Sequence, residues 1–581
     1  MNVDRMKRCI AANRGEIPYD CIYQKAKVIN VYTESVMTAD VATLDGYICA
    51  LNPIHQKAVQ YVDCSNMFLA PGFLDAHMHI ETSHLNPAAW AEITLPHGTT
   101  GVFFDYMMSG SVYGEDSIMV LAELLKQVPT RVFYQIPSRV PVSKELETTG
   151  GIIDQEEVRR LVNQKNVCSL GEVNCISVMQ GEESTLEKIQ IAKEAGKRIN
   201  GHCPQSMWEE LNTAAAVGIM DDHESVSYEE LLQKLSLGFH VMVREGSIEP
   251  NVEALIRGVV ADNLPIDHLL FCTDDKYPLD LMEKGHINYA VNKAIACGMN
   301  PIKAIKMATL NTARYYGLDS RYGSITPGRV ADMILFKNME HIIPEKVFIG
   351  DKKVAENGTI TYDVDYSRRK GKNSLHLSKK IKQEDLYICS ENVQEICRVM
   401  QVCDNDLCVK ELKKTIQSCE GILYADVEQD ILPIAVIERY GCNGEIGKGF
   451  IKGLKIKSGA IASSLASEGN NIVVCGTNYK DMAVAVNELV KIGGGMIITE
   501  NEKVIAQNPM PIGGIMYECP AKEAVMRLSK IEDALERMGC RNKYAFTYMC
   551  VAPASSIPSL GLTNKGLIDV KEQKVVSLFR E

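Results

Sequence analysis

The 581 residues carry 62 Lys and Arg against 74 Asp and Glu, a formal net charge of −12, with 46% hydrophobic and 23% charged side chains. The length suits a barrel-sized domain with smaller additions, the composition excludes a disordered chain, and the acidic balance offers no field for nucleic acid or an anionic membrane surface. Aromatic residues make up 6% with two tryptophans, so no base-stacking platform is expected either.

In chain order, MNVDRMKRCIAANRGE lacks an apolar stretch behind its basic residues, and no later run approaches the roughly 18 apolar residues of a membrane span; the chain is expected to be neither exported nor membrane-bound. Nineteen cysteines, with no C-x-x-C pair, predict reduced thiols and a cytoplasmic location. Residues 1–70 contain short apolar runs such as AKVINVYT and DGYICAL between polar turns, the pattern of a β-rich module. Over 71–320 the strands GVFFD, TRVFYQIPS, VCSLGEV, KRINGHC, GIMDDHE, HVMVREGS and HLLFCTDD alternate with helical patterns such as LEKIQIAKEAG and SYEELLQKLSLG, which predicts an α/β domain, a (β/α)8 barrel. GSITPGRVADMILFKN then returns to the strand-rich pattern, so residues 321–370 are expected to complete a small β-sandwich module built from both flanks of the barrel. The polar, basic run around 366–386 reads as a linker, followed by an additional α+β domain over 385–581.

The densest chemistry lies in Asp75-Ala76-His77-Met78-His79 at the end of an apolar strand. Alternation along a strand turns His77 and His79 to one side, which makes half of a metal site. Glu172, His202, His223 and Asp274 each stand where a later β/α unit passes from strand to loop, the rim on which barrel enzymes build their sites. Taken singly, each is an ordinary polar residue; together, four imidazoles and two carboxylates suit two divalent ions bridged by Glu172, with manganese, iron and zinc all acceptable. Asp275 competes with Asp274 as the metal-binding aspartate. IGGGM lacks the spacing of a phosphate or dinucleotide loop.

PGFLDAHMHIE, GEVN, GHCPQ, DDHES and TDD together resemble the amidohydrolase superfamily. PSRVP with ETTGG, REGS, CTDDKYPLDLMEKGHI, PGRVAD and LGLTNKGLIDV narrow the resemblance to the adenine deaminase family, from about residue 20 through the last 200 residues. The resemblance implies a metal-dependent hydrolase barrel that converts adenine and water to hypoxanthine and ammonia. It also implies that Asp274 takes the proton of the attacking water, Glu224 shuttles protons to the ring and the leaving amine, and Ser138, Glu147 and Arg244 contact the purine. A homodimer is the expected assembly. Two stretches depart from the family pattern: Asp105 is followed by Tyr106-Met107-Met108-Ser109 in place of a Pro-His-Glu-Ile-Ala-Asn-like segment, and Ser467-Glu468-Gly469-Asn470-Asn471 replaces His-Asp-x-His-Asn. The departures point to altered substrate preference, with another 6-substituted aminopurine deaminase or a cyclic amidohydrolase as the alternative. A non-catalytic metal-binding paralogue is the reading from another class.

Overall fold

The computed structural model describes residues 3–126, 128–366, 373–403, 406–540, 542, 544–557 and 559–580. A helix over Val3–Asn13 precedes five strands: Tyr19–Asn30 (β1), Ser35–Leu44 (β2), Tyr47–Leu51 (β3), Ala58–Asp63 (β4) and Phe68–Pro71 (β5). The apolar side chains of β1 divide between two clusters, Tyr23, Ala26 and Val28 in one and Tyr19 and Ile22 in the other, with a register shift against β2 between Tyr23 and Ala26.

Eight strands of a barrel follow: Phe73–Met78 (β6), Thr99–Asp105 (β7), Arg131–Pro137 (β8), Val167–Asn174 (β9), Arg198–His202 (β10), Asp221–Asp222 (β11), His240–Arg244 (β12) and Leu269–Cys272 (β13). All pair in parallel, β6 through β10 in one sheet and β11 to β13 in another. A parallel bridge between Met78 and Asp274 rejoins the last strand to the first. Between β10 and β11 the link is a side chain, Asp221 Oδ1 accepting from the Gly201 N–H at 2.7 Å. Helices such as Glu183–Glu194, Tyr228–Ser236 and Val252–Ala261 connect the strands.

The four strands after the barrel, Met333–Phe336 (β14), Lys346–Ile349 (β15), Lys352–Glu356 (β16) and Thr359–Ile360 (β17), join the N-terminal ones through β14 against β5. The module drawn from both flanks is therefore one connected nine-stranded sheet. Of the run expected to be a linker, 367–372 lie outside the described residues. Residues 373–382 form no helix or strand but are pinned down: Ser374 Oγ donates to the Gly513 carbonyl at 2.9 Å, and the Ile381 N–H donates to Asn487 Oδ1 at 3.0 Å.

The C-terminal section holds a ten-stranded sheet, from Ile388–Cys389 at one edge to Lys503–Pro509 at the other, and a three-stranded sheet over Leu560–Val576. The helix Tyr479–Lys491 starts where the Asn478 side chain accepts from the Asp481 N–H and buries Met482, Ala485, Val486 and Leu489, spaced three and four apart, against the sheet. The section packs on the barrel mouth: the Tyr517 N–H donates to the His84 carbonyl at 2.8 Å, and Asn86 Nδ2 donates to the Tyr517 carbonyl at 2.9 Å.

One expectation is corrected. The thiols were expected to be reduced throughout, yet Cys175 and Cys203 are joined, while seventeen others stand free. They directly follow the ends of neighbouring parallel strands, β9 and β10, which brings their Cα atoms to 5.3 Å. A separation of 28 residues gives no motif from which sequence could read this pair. No helix among the described residues is long and apolar enough to cross a membrane.

Candidate metal centre

Strand β6 is buried along its whole length and fixes the first two histidines. The Asp75 carboxylate accepts from the backbone N–H and hydroxyl of Thr273, stapling β6 to β13, and lies 3.1 Å from His286 Nε2. His77 Nδ1 is 2.7 Å from Gln135 Oε1 and His79 Nδ1 is 2.9 Å from the Asp105 carbonyl. Those acceptors take the Nδ1 protons, so both Nε2 lone pairs turn inward, the way outer groups orient metal-binding imidazoles. The loop after β11 is anchored by Asp222, which accepts from the N–H groups of Cys203 and Glu224 at 2.9 and 2.8 Å and pairs with buried Lys234.

Two groups of donors result. His77, His79, Glu172 and Asp274 form one, and Glu172, His202, His223 and Glu224 the other; every member is buried, and the donor atoms within each group lie within 4.8 Å of one another. Glu172 is common to both. Its Oε1 stands 3.3 Å from Nε2 of both His77 and His79, 3.2 Å from His223 Nε2 and 3.7 Å from His202 Nδ1. Asp274 Oδ1 lies 3.3 Å from His77 and 3.4 Å from His79. His77 Nε2, His202 Nδ1 and His223 Nε2 have no hydrogen-bond partner although fully buried. Orphaned nitrogens facing carboxylate oxygens are what a divalent ion satisfies, so this donor set fits the metal. Glu172 and Asp274 also hold left-handed backbones, φ 38° and 56°, strain of the kind concentrated at functional sites. Before Glu172 the chain needs a glycine: a Cβ on Gly171 would meet Asp105 Oδ2 at 2.0 Å.

The site is buried and dense in charge. Burial opposes ionisation of the imidazoles, but Glu172, Asp105 and Asp274 raise His79 to about 9, and Glu224 and Glu172 raise His223 to about 10 against both burial and His77. Glu172 is driven well below the usual carboxylate range, its burial overcome by Arg139 and the imidazoles; Glu224 is driven down by His223 and His202. Burial pushes Asp105 up to about 7. A divalent ion held by these residues would compete with protons for the imidazole nitrogens.

The two competing aspartates point to different neighbours. Asp274 faces the imidazoles, whereas Asp275 accepts from Arg244 at 2.6 Å and from the N–H groups of Ser247 and Ile248 at 3.1 Å. A cavity of about 90 Å³ opens over both groups, lined by Glu224, Arg244 and Asp274 and by the apolar Met107, Met108, Leu465 and Val551. Arg244 is fully buried, 2.6 Å from Asp274 Oδ2 and 3.5 Å from Glu224 Oε1. Ser138 and Glu147 do not line this cavity. Ser138 Oγ donates to the Glu172 carbonyl at 2.9 Å, and Glu147 Oε1 accepts from the Val142 N–H at 2.7 Å, its acidity weakened to about 8 by burial and Glu468. Both brace the site from behind. Three residues outside the expected ligands and purine contacts surround the donor groups: Arg139, in the PSRVP segment, contacts Glu172; Glu468, expected only as a departure bearing on substrate preference, pairs with Arg139; and Ser556 Oγ lies 3.5 Å from His202 Nε2. The replacement of the family's His-Asp by Ser467-Glu468 was the available signal for the second.

A parallel barrel with paired histidine and carboxylate groups on its C-terminal rim is the architecture of the metal-dependent amidohydrolases, and residues 68–363 match the amidohydrolase family model. Residues 406–574 match the adenine deaminase C-terminal domain. The chain is 37% identical to an adenine deaminase of Desulforamulus reducens, over 97% of this chain and 96% of that one, and 34% identical to those of Kosmotoga olearia (98% of each) and Archaeoglobus fulgidus (99% of this chain, 98% of the other). It belongs to the adenine deaminase family.

Proposed function

We propose that this chain hydrolyses adenine to hypoxanthine and ammonia, with His77, His79, Glu172, His202, His223 and Asp274 holding two divalent ions, manganese or iron and alternatively zinc. The observation that carries the reading is the pair of buried donor groups sharing Glu172 beneath one small cavity, in a chain that matches named adenine deaminases along nearly its whole length. Ions held by these residues lower the pKa of water in the site, so that hydroxide is available near neutral pH. Asp274 accepts the proton of the attacking water through Oδ1, while Arg244 holds Oδ2 at 2.6 Å and keeps the carboxylate oriented. Oxygen adds to the ring carbon bearing the amino group. Glu224, ionised at the cavity wall, receives that proton and gives it to the adjacent ring nitrogen; the second proton of the water, lost as the new hydroxyl becomes the product carbonyl, follows the same route to the amine, so that ammonia leaves rather than amide ion and both carboxylates end ionised. The apolar walls take the faces of a flat base and exclude bulk water.

A second reading keeps this chemistry and changes the purine. It is favoured because both departures from the family pattern end at the cavity: Met107 and Met108 line one side, Ser467 and Glu468 another. A ring nitrogen left unpaired there costs about 1–3 kcal/mol, enough to reorder related substrates by about tenfold to a hundredfold. The test of both is ammonia release from adenine, 2,6-diaminopurine, N6-methyladenine and cyclic ureides after reconstitution with manganese or ferrous iron. Fastest turnover of adenine supports the first reading and of another 6-substituted purine the second; release from ureides alone overturns both, and no turnover at full metal loading leaves a metal-binding paralogue.

The same reading divides the chain at 1–70, 71–320, 321–370 and 385–581, supported by the sheet that takes strands from both 19–71 and 333–360. A homodimer in the cytoplasm completes it. The absence of a C-x-x-C pair among nineteen cysteines supports the compartment, the Cys175–Cys203 link counts against it, and light scattering at twice the 64.4 kDa chain mass tests the assembly.

A further inference from the structure

The two oxygens of Glu172 face different neighbours. All four imidazole distances to this carboxylate run to Oε1, while Oε2 is taken by Arg139 Nη2. The other end of the guanidinium lies 3.0 Å from Glu468 Oε1, and Ser556 Oγ joins both partners. Glu468 is held in turn: its Oε2 accepts from the Ser555 N–H at 2.6 Å and hydroxyl at 2.9 Å, and its carbonyl accepts from Ser111 Oγ. Arg139, Glu172, Glu468, Ser555 and Ser556 are all buried. Glu468 and the two serines come from the C-terminal section, more than 300 residues from Arg139 in the chain.

We propose that Arg139 and Glu468 are positioning residues that form a clamp between the barrel and the C-terminal section, committing Oε2 of Glu172 and leaving Oε1 as the single oxygen offered to both ions. The inference rests on the two-ion reading above. A buried guanidinium needs matched anionic partners, and here it has two. Glu468 carries half of that compensation, which keeps Arg139 from drawing Glu172 wholly to itself and from standing as an unbalanced cation beside a cation site. The C-terminal section thereby becomes part of the metal centre, through a residue that binds no metal.

The test is the dissociation constant of each ion, read by chelator competition with manganese on the full-length protein, for the parent, Glu468→Gln, Arg139→Met and the double variant. Glu468→Gln is expected to weaken at least one ion by about tenfold, the usual scale for losing an outer partner of a metal ligand. With Arg139→Met in place, the same substitution is expected to change binding less than about twofold, because the link between Glu468 and Glu172 is gone; a merely structural role for Glu468 would act equally in both backgrounds. Glu468→Asp keeps the charge but withdraws Oε1, and serves if the glutamine variant does not fold; a loss of about twofold to tenfold is expected. A parent that holds two ions with Glu468→Gln and Glu468→Asp within twofold of it, or an equal loss with and without Arg139, overturns the clamp alone. A parent that holds no ions overturns the two-ion reading and the clamp with it.

Discussion

Replacing Glu224 by Gln separates proton transfer from metal binding. The amide occupies the same volume at the cavity wall, and the loop keeps its anchor, because the contact to Asp222 comes from the backbone N–H of residue 224. Four imidazoles, Glu172 and Asp274 remain to hold the ions. What is lost is a carboxylate poised 3.0 Å from His223 and 3.3 Å from His202, the group assigned to ferry a proton to the purine ring and then to the amine. A positioned acid or base contributes about 10²-fold to 10⁴-fold, so kcat should fall at least about a hundredfold, or about 2.7 kcal/mol, with KM little changed. Steady-state ammonia release, normalised to metal content measured on the same sample, reads this out. Turnover within tenfold of the parent at equal metal content would refute the shuttle; loss of the second ion would refute it differently, by making Glu224 a ligand.

His77→Ala and His79→Ala should each remove metal and activity while leaving the circular dichroism of the barrel intact, since both side chains stand on the rim; a full metal complement in both variants means the site is misplaced. Glu172→Gln should lose one ion preferentially, because with Glu224 serving as the shuttle one set keeps two imidazoles and Asp274 while the other keeps two imidazoles alone, and elemental analysis showing equal retention of both ions rules out the bridge. His84, held down to about 4 by burial, stays neutral in the folded protein while the unfolded chain takes up a proton near 6.5. Its folded pKa is depressed, so the associated stability is complete above pH 6.5 and drains away as the pH falls towards 4, by up to about 3 kcal/mol. The urea midpoint of the parent should therefore approach or fall below that of His84→Gln across this window; a constant difference counts against the buried neutral imidazole.

Much of the candidate site was legible because each donor residue is local to a strand end: H-x-H after FLDA, Glu172 after VCSLG and Asp274 after HLLFCT are placed by period-two alternation and strand termini alone. The eight strands were legible for the same reason. What escaped depends on the packing of remote segments. Arg139 reads as a loop arginine until the C-terminal section sets Glu468 against it, 329 residues away. Ser138 and Glu147 sit in the right segments but turn their polar atoms to the backbone, a choice of rotamer and loop path that residue type does not encode. Residues 373–382 have a linker's composition, yet a few side-chain hydrogen bonds hold them to the C-terminal section, at Gly513 and at Asn487 of the helix Tyr479–Lys491.

The nine-stranded sheet has a consequence for how the chain is made. Strand β5 ends at Pro71, and its partner β14 ends at Phe336, with the whole barrel encoded between them. At about 5–20 residues per second, a ribosome takes on the order of 13–50 seconds to pass from one to the other. Throughout that interval the N-terminal strands carry an open edge at β5, which invites pairing with other nascent chains. The barrel emerges next to this edge, and only its completion delivers the strand that covers it, so synthesis order makes the sheet the last part of the first 360 residues to close.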